Sequence, residues 1–153
     1  MFPVYSQQIA FADMADLSIE QIRHELTWRL RQKVLYPQQK LFEMELDEDA
    51  NGMHFGAFLD NDLVCVVSLF KKDNDFQFRK FAVEPSVQKQ GIGSKVLAYI
   101  TEFVIGEGGK RLWCNARVSA IPFYIKHGFS HTGQLFSNKE GIEYEILEKQ
   151  LSA

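Results

Sequence analysis

Length, composition and charge describe an ordinary globular protein. The chain has 153 residues, of which 46% are hydrophobic and 24% charged, enough for one domain with a buried core. Its formal net charge of −3 lacks the positive excess that is typical of proteins that bind nucleic acids non-specifically. No apolar run of about 18 residues occurs, and no basic segment precedes an apolar one at the N-terminus. We therefore expect no membrane span, no signal peptide and a cytoplasmic location.

The sequence contains two cysteines, Cys65 and Cys114. Each lies inside an apolar run that reads as a strand. Two cysteines in a chain of this size do not make a disulfide framework, and they lack the paired spacing of a zinc site. We expect two buried thiols and no metal.

The predicted elements begin with a strand over residues 2–10. Ser18 then predicts the N-cap of a helix, because apolar residues follow over 22–34 at spacings of three and four. Pro37 ends that pattern. An acidic connection over residues 43–49 comes next.

Three apolar runs, at 54–59, 63–70 and 76–83, follow this connection. They are separated by short polar segments at 60–62 and 71–75, which are typical of tight turns. This stretch therefore predicts an antiparallel meander of three strands.

The second half of the chain alternates between element types. A helix begins near Gly91, and its apolar face is formed by Ile92, Val96, Leu97, Ile100 and Val104. A strand at 112–116, a short helix at 119–127 and a hairpin at 133–147 complete the order. We predict an α/β fold with a mixed, mostly antiparallel central sheet flanked by helices. The helix from Gly91 crosses over between two strands, a usual place for a ligand.

The segment 84–93 links a strand to that helix and contains Gly91 and Gly93. Glycine allows the backbone to approach a ligand closely, and the first turn of a helix leaves N–H groups without intrahelical partners. Together with the helix dipole, these groups favour a phosphate. A tight turn that binds nothing explains two glycines equally well.

Two known phosphate motifs do not fit this turn. A P-loop needs a Gly-Lys-Ser/Thr ending, which the segment lacks, and a dinucleotide fingerprint needs a third glycine where Val96 stands. The pattern that fits is (Arg/Gln)-x-x-Gly-x-(Gly/Ala), beginning at Gln88.

At this point the sequence resembles the GNAT superfamily of N-acetyltransferases, from about Leu30 to Leu147. Before the glycine turn, Phe-Ala-Val-Glu-Pro at 81–85 matches the family's apolar triplet and loop. After it, the segment 120–129 matches an alanine, a helix with a tyrosine, and Gly-Phe. The stretches 35–37, 45–47 and 54–56 look more specifically like the ElaA-like branch.

The resemblance implies a single N-acetyltransferase domain over residues 1–153. Such an enzyme moves an acetyl group from acetyl-CoA to a primary amine of a small molecule or peptide, by direct attack and without a metal. It implies that pantetheine lies along the main chain near Val83 and that the backbone of 88–93 holds the pyrophosphate. The implied cofactor-binding residues are Phe81, Ala82, Val83, Gln88, Lys89, Gln90, Gly91, Ile92, Gly93, Ser94 and Asn115.

Asn115 is included in this set as a replacement for a family asparagine that this chain lacks. Many family members carry an asparagine that contacts pantetheine at the position of Arg117 in this chain. Asn115 could serve instead, or it could be a turn residue at a strand end.

The resemblance also assigns catalytic residues. Tyr124 stands where the family places a general acid for the departing thiolate, and a phenol can supply that proton; the alternative is a core tyrosine. Some relatives carry a glutamate as base at the position of Gln77, which cannot take a proton. The candidates for the base are Glu84, Glu45, Asp47, His54 and a water chain, and a solvated or structural role competes for each. His54 opens an apolar strand, so we expect a structural histidine there.

Period-two alternation places Gln77, Arg79, Phe81 and Val83 on one strand face. Arg79 is therefore predicted to bind an anionic group of the acceptor, or alternatively to pair with an acid at the sheet rim. The resemblance implies an acceptor pocket built from residues 36–52 and 138–141.

Two other functions remain open from the sequence. The domain could bind acyl-CoA without turnover, as a sensor or interaction module, or its glycine turn could bind nothing. The acceptor is unidentified, and the resemblance allows a homodimer. We expect neither nucleic acid nor a membrane as a partner.

Overall fold

The computed structural model describes residues 16–151. Its strands are β1 (Leu17–Ile22), β2 (Met53–Leu59), β3 (Asp62–Lys72), β4 (Asp75–Val83), β5 (Arg111–Arg117), β6 (Ser130–Ser137) and β7 (Glu143–Gln150). Its α-helices are α1 (Trp28–Leu30), α2 (Ile92–Gly106) and α3 (Ile121–Lys126). A 3₁₀ turn (His24–Thr27) leads into α1, and a π-helical turn (Arg31–Leu35) continues it. Two further 3₁₀ turns, Leu41–Met44 and Asp49–Asn51, precede β2.

The strands form one sheet in the order β1-β2-β3-β4-β5-β7-β6. Strand β1 pairs with β2, β5 with β7, and β6 with β7, all antiparallel. Strand β4 pairs with β5 in parallel, over Asp75–Gln77 and Arg111–Trp113. A parallel pair requires a crossover connection, which is the stretch containing α2. The predicted fold class, a mixed and mostly antiparallel sheet with helices, is confirmed.

The prediction of a helix capped by Ser18 is wrong. Ser18 lies in β1 opposite Phe58 of β2, and its hydroxyl donates to Glu20 Oε2 at 2.7 Å. Apolar and polar residues alternate over residues 17–20, and pairing with β2 overrides the capping pattern. Helical structure begins only at His24. The strand predicted over residues 2–10 lies outside the described residues.

The polar turns of the meander are confirmed. Between β2 and β3, Asp60 and Asn61 have φ of 50° and 71°, the two positive values of a type I′ hairpin turn. Between β3 and β4, Asp73 has φ of 57°. Aspartate and asparagine tolerate this left-handed conformation better than most residues.

The chain divides into two compact units. Among the described residues, the first comprises 16–68 together with Lys80–Tyr99. Its core contains the fully buried Leu30, Val66 and Ala82, against which Ile22, Val34, Leu35 and Leu63 pack. The apolar stripe predicted over 22–34 is therefore buried only in part, since Leu30 is fully buried whereas Leu26 is 43% exposed.

Among the described residues, the second unit comprises Leu69–Arg79 and 100–151. Phe76, Leu112 and Leu147 are fully buried in it. After α2, the N–H of Gly109 donates to the carbonyl of Val104 at 2.8 Å. A Cβ on Gly109 would lie 2.4 Å from a Val104 methyl and 2.9 Å from the Phe76 ring. Only glycine fits this close approach. That both units belong to one domain over residues 1–153 stays a prediction.

The predicted apolar face of α2 and the two predicted buried thiols are confirmed. The five residues of that face are each at most 2% exposed: Ile92, Val96, Leu97, Ile100 and Val104. Cys65 and Cys114 are free and buried, and burial raises the pKa of each thiol to about 12. Within residues 16–151, no helix is both long and apolar enough to cross a membrane.

Candidate functional site

The glycine turn connects β4 to α2 with an open, irregular backbone. A 3₁₀ turn (Pro85–Val87) follows β4, and Lys89 and Gly91 then adopt φ of 64° and 88°. The N–H of Lys95 donates to the carbonyl of Gly91, so the N–H groups of Ile92, Gly93 and Ser94 precede the first intrahelical bond. Such groups are ready donors for an anion.

Burial changes abruptly where the turn meets α2. Residues 88–91 are exposed, whereas Ile92 is 1% exposed. The buried isoleucine anchors the start of α2, while the four residues before it are exposed. Gln88 Nε2 donates to the carbonyl of Val83 at 2.9 Å, which ties the turn back to the end of β4.

Strand β4 contains an irregularity that the sequence did not predict. Lys80 has φ of 56°, a conformation that long side chains rarely adopt inside a strand. A left-handed residue interrupts the pleat and re-aims the side chains beyond it. The alternation that placed Arg79 and Val83 on one face therefore does not hold through Lys80. The role predicted for Arg79 as an acceptor-binding residue stays a prediction without that support.

Glu84, predicted as a candidate base, is engaged by cations. Its carboxylate forms an ion pair with Lys33 and lies 3.7 Å from Arg29. Its backbone N–H donates to the carbonyl of Val64 at 2.7 Å. Two cationic side chains therefore already contact this carboxylate. These contacts favour the structural role of Glu84.

A small cavity lies beside Lys80 in the same unit. Its volume is about 200 Å³, and it is lined by Arg31, Tyr36, Gln39, Glu43, Met44, Leu46 and Lys80. The Lys80 ammonium donates to the Tyr36 hydroxyl and lies 4.4 Å from the centre of the Tyr36 ring. The segment 36–52, which the resemblance implies for the acceptor pocket, supplies five of these seven residues.

Behind this cavity lies a buried polar network. Arg31 and Asp49 form a bidentate pair, with N–O distances of 2.8 and 3.0 Å. Arg31 Nη2 also donates to Ser68 Oγ at 2.8 Å, and His54 Nδ1 lies 2.7 Å from the same oxygen. His54 Nε2 lies 2.8 Å from the carbonyl of Asp49, which can only accept. In the neutral ring Nε2 therefore donates, and Nδ1 accepts from the Ser68 hydroxyl.

The network shifts the pKa values of two of its members. Burial would raise the pKa of Asp49, but hydrogen bonds from Arg31 and from the N–H of Leu46, with the Arg31 charge, hold it below 3.8. Burial, followed by the nearby Arg31 charge, lowers the pKa of His54 below 6.5 and outweighs its contacts with Asp49. At neutral pH the network therefore contains an ionised aspartate and an uncharged histidine.

The remaining candidates for the base differ in their surroundings. His54 is 3% exposed and has both ring nitrogens hydrogen-bonded, which favours the structural role expected for it. Glu45 lies 3.8 Å from His24 and is largely exposed. Asp47 is exposed. The contacts of these three side chains single out none of them as a base.

Tyr124 lies in an aromatic cluster of the second unit. It belongs to α3 and is 9% exposed. The ring centroids of Phe78, Phe123 and Phe129 lie 5.7, 5.2 and 5.8 Å from its own. Helix α3 ends at Lys126, and Gly128 follows with φ of 93°, as expected for a glycine C-cap. The cluster is compatible with a core tyrosine and with an acid held in apolar surroundings.

Asn115 lies inside β5 rather than at a turn. It pairs with Ile146 of β7 and its side chain is exposed. The turn role considered for it is therefore wrong, and its predicted contact with pantetheine stays a prediction. Among the described residues, no group of three or more histidine, cysteine and carboxylate side chains is arranged to hold a metal ion.

Sequence reasoning missed Lys80, Arg31 and Asp49. The sequence shows only that Thr27 and Arg31 lie one helical turn apart; the structure adds that both are fully buried. An inward-facing arginine requires a buried acid, and the acidic segment before Gly52 supplies one. No sequence pattern indicates the left-handed conformation of Lys80.

Comparisons with known proteins agree with this architecture. The model of the Acetyltransferase (GNAT) family matches residues 19–129. The uncharacterized N-acetyltransferase YitI of Bacillus subtilis is 27% identical over 129 residues, covering 78% of this chain and 87% of YitI.

Two solved structures illustrate the shared fold. Escherichia coli ElaA has a TM-score of 0.74 at 14% identity, covering 88% of this chain and 99% of that one. A GNAT family acetyltransferase from Elizabethkingia anophelis with acetyl-CoA bound has a TM-score of 0.71 at 17% identity, covering 89% and 99%. The family match spans most of this chain, including β4, the glycine turn and α3. The chain therefore belongs to the acetyltransferase (GNAT) family.

Proposed function

We propose that this protein transfers an acetyl group from acetyl-CoA to a primary amine by direct attack of the amine on the thioester. The observation that carries the proposal is the glycine turn. Gly91 has a positive φ, its neighbours 88–90 are exposed, and α2 begins with N–H groups that lack intrahelical acceptors. This backbone fits a pyrophosphate, because main-chain donors and the helix dipole both favour an anion.

The residues proposed to hold acetyl-CoA are those predicted from the resemblance. The backbone of 88–94 would bind the pyrophosphate, and the main chain of Phe81, Ala82 and Val83 would bind the pantetheine. Asn115 is retained as a further contact. Acetyl-CoA supplies an activated acetyl thioester, so the protein's own contribution is to align the amine and to supply protons.

Tyr124 is proposed as the group that protonates the leaving thiolate. A phenol can donate a proton and regain it from solvent, and its near-complete burial among aromatic rings holds it in one orientation. Glu84 is not retained as the base, because Lys33 and Arg29 engage its carboxylate. Water is the acceptor of the amine proton in this proposal.

The test is acetyl-CoA binding by calorimetry with the variant Gly91→Asp. A carboxylate there would repel the pyrophosphate and strain a left-handed residue, so we expect the dissociation constant to rise by about 100-fold or more. Gly108→Asp is the matched control. Gly108 has φ of 81° with open space at its Cβ position, and we expect normal affinity. Equal affinity in both variants would reject the glycine turn as the binding site.

Turnover separates the enzyme from the sensor. Thiol release from acetyl-CoA is measured over a panel of amines with a thiol reagent. Cys65 and Cys114 are buried with pKa values of about 12, so the folded protein contributes little background. Tight acetyl-CoA binding without thiol release on any amine would reject catalysis and support an acyl-CoA sensor.

A further inference from the structure

The cavity beside Lys80 has the size of a site for a small molecule. Its volume of about 200 Å³ is below the ~300–1,000 Å³ of pockets for drug-sized ligands. All of its lining residues belong to the first compact unit. Lys80 directly precedes the segment 81–83 proposed for pantetheine. A small acceptor held here would be adjacent in sequence to the proposed cofactor strand.

The charges around the cavity are unevenly compensated. Arg31 is neutralised by its bidentate contact with Asp49. Glu43 is exposed, and its carboxylate accepts a hydrogen bond from the N–H of Lys40 at 2.8 Å. Lys80 is only partly exposed and has no carboxylate partner among residues 16–151; its contacts are with Tyr36. Of the charged residues that line the cavity, Lys80 is therefore the one that is neither paired with an opposite charge among the described residues nor fully exposed to solvent, and its charge is positive.

Hydrogen-bond donors accompany this charge. The Tyr36 hydroxyl accepts from Lys80, which leaves its own proton available to a ligand. Arg31 Nε is buried without a hydrogen-bond partner in the described part of the chain, and Arg31 lines the cavity. Carboxylate and phosphate oxygens accept several such bonds at once, and bonds to ionised groups are the stronger ones.

The backbone of Lys80 supports a functional reading of its side chain. A lysine with φ of 56° inside a strand is strained, and such strain concentrates at ligand sites when the surrounding structure maintains it. The left-handed residue carries the lysine onto the Tyr36 ring. The same left-handed residue interrupts the alternation from which the acceptor-binding role of Arg79 was predicted.

We propose that this cavity binds the anionic group, a carboxylate or a phosphate, of a small acceptor amine through the Lys80 ammonium and the Tyr36 hydroxyl. In this proposal Lys80, rather than Arg79, binds the anionic group of the acceptor. The inference rests on the proposed acetyl transfer and names the chemical class of its acceptor.

The test compares matched amines in the thiol-release assay. The pairs are L-alanine with L-alaninamide, and O-phosphoethanolamine with ethanolamine; spermidine represents polycations. Concentrations are expressed as neutral amine, so that differences in amine pKa do not mimic recognition. We expect the anionic member of at least one pair to have a KM about 10- to 100-fold below that of its partner.

Variants assign the effect to the cavity. Lys80→Met should raise the KM of the anionic acceptor by about 10- to 100-fold, with kcat and acetyl-CoA affinity within about twofold. Lys80→Arg keeps the charge and should retain most of the preference. Tyr36→Phe should raise the same KM by about 2- to 10-fold. Lys72→Met is the control, because Lys72 is exposed at the end of β3.

The outcomes separate this inference from the proposed function. A preference for spermidine or for the neutral member of both pairs would overturn the inference and leave acetyl transfer intact. An unchanged anionic preference in folded Lys80→Met would do the same. Acetyl-CoA binding without turnover on any amine would overturn both, whereas loss of preference in Lys80→Met with rescue in Lys80→Arg would support both.

Discussion

The two compact units surround buried polar groups in different ways. In the first, Arg31, Asp49, Ser68 and His54 are joined by hydrogen bonds of 2.7–3.0 Å. In the second, Tyr124 is surrounded by the rings of Phe78, Phe123 and Phe129. The first arrangement satisfies polar atoms with one another, and the second packs a phenol ring as an aromatic side chain.

Because of this difference, mutations in the two regions are expected to have different effects on stability and on reaction rate. Removing one member of a closed, charged network leaves its partner buried and uncompensated, which mainly destabilises the fold. Removing the hydroxyl from a ring that packs against other rings leaves the packing in place. A change in rate without a change in stability is therefore expected in the second region, and the reverse in the first.

The largest effect is expected for Tyr124→Phe. Loss of a positioned acid lowers the rate by about 100- to 10,000-fold, so kcat should fall by that factor. The free energy of unfolding should change by no more than about 1.5 kcal/mol. Steady-state kinetics at saturating amine and urea denaturation provide the two measurements. Tyr99→Phe is the control, since Tyr99 is 41% exposed and contacts Phe55 edge-on. Normal turnover in Tyr124→Phe would show that Tyr124 is a core residue and not the acid.

The next largest effect is expected for Asp49→Asn. This substitution leaves the Arg31 guanidinium, in a residue with no exposed surface, without its counter-charge, and should destabilise the protein by about 3–5 kcal/mol. The matched variant is Glu84→Gln, whose partners Lys33 and Arg29 are more than half exposed. Surface pairs contribute about 0–1 kcal/mol. Similar losses in the two variants, measured by urea denaturation, would contradict the comparison.

The smallest effect concerns pH. Because the pKa of His54 is lowered below 6.5 by burial, the unfolded chain binds a proton below that pH while the folded chain resists it. The stabilisation from neutral His54 is therefore present above pH 6.5 and is lost as pH falls towards the folded pKa. The groups facing this ring are His24, Arg31, Asp49 and Ser68.

Unfolding free energies from about pH 7.5 to about pH 5.5 measure this contribution. The decline in stability should be shallower in His54→Gln than in the wild-type protein. The lowered pKa of Asp49 adds a loss in the same direction at lower pH, below the ordinary aspartate value of 3.8. Equal slopes in the two proteins would show that His54 does not titrate differently on folding.

Local patterns decided a large part of this protein. The meander, the helix that starts at Ile92 with its buried face, and the final hairpin all follow from periodicity and turn residues, because these interactions lie between residues close in sequence. The family was also recognisable, since the glycine turn and the segment around Tyr124 depend on residue types at short spacing.

Contacts between distant residues decided the rest. Ser18 belongs to a strand because β2, far along the chain, supplies the hydrogen bonds. Arg31 meets Asp49, Ser68 and His54 only after the helix packs on the sheet, and no spacing within the sequence encodes that meeting. Lys80 adopts its left-handed conformation where β4 meets Tyr36. A strained backbone conformation of this kind persists only where the surrounding tertiary structure maintains it. The position of the Lys80 ammonium, and with it the cavity proposed for the acceptor, therefore could not be predicted from the sequence.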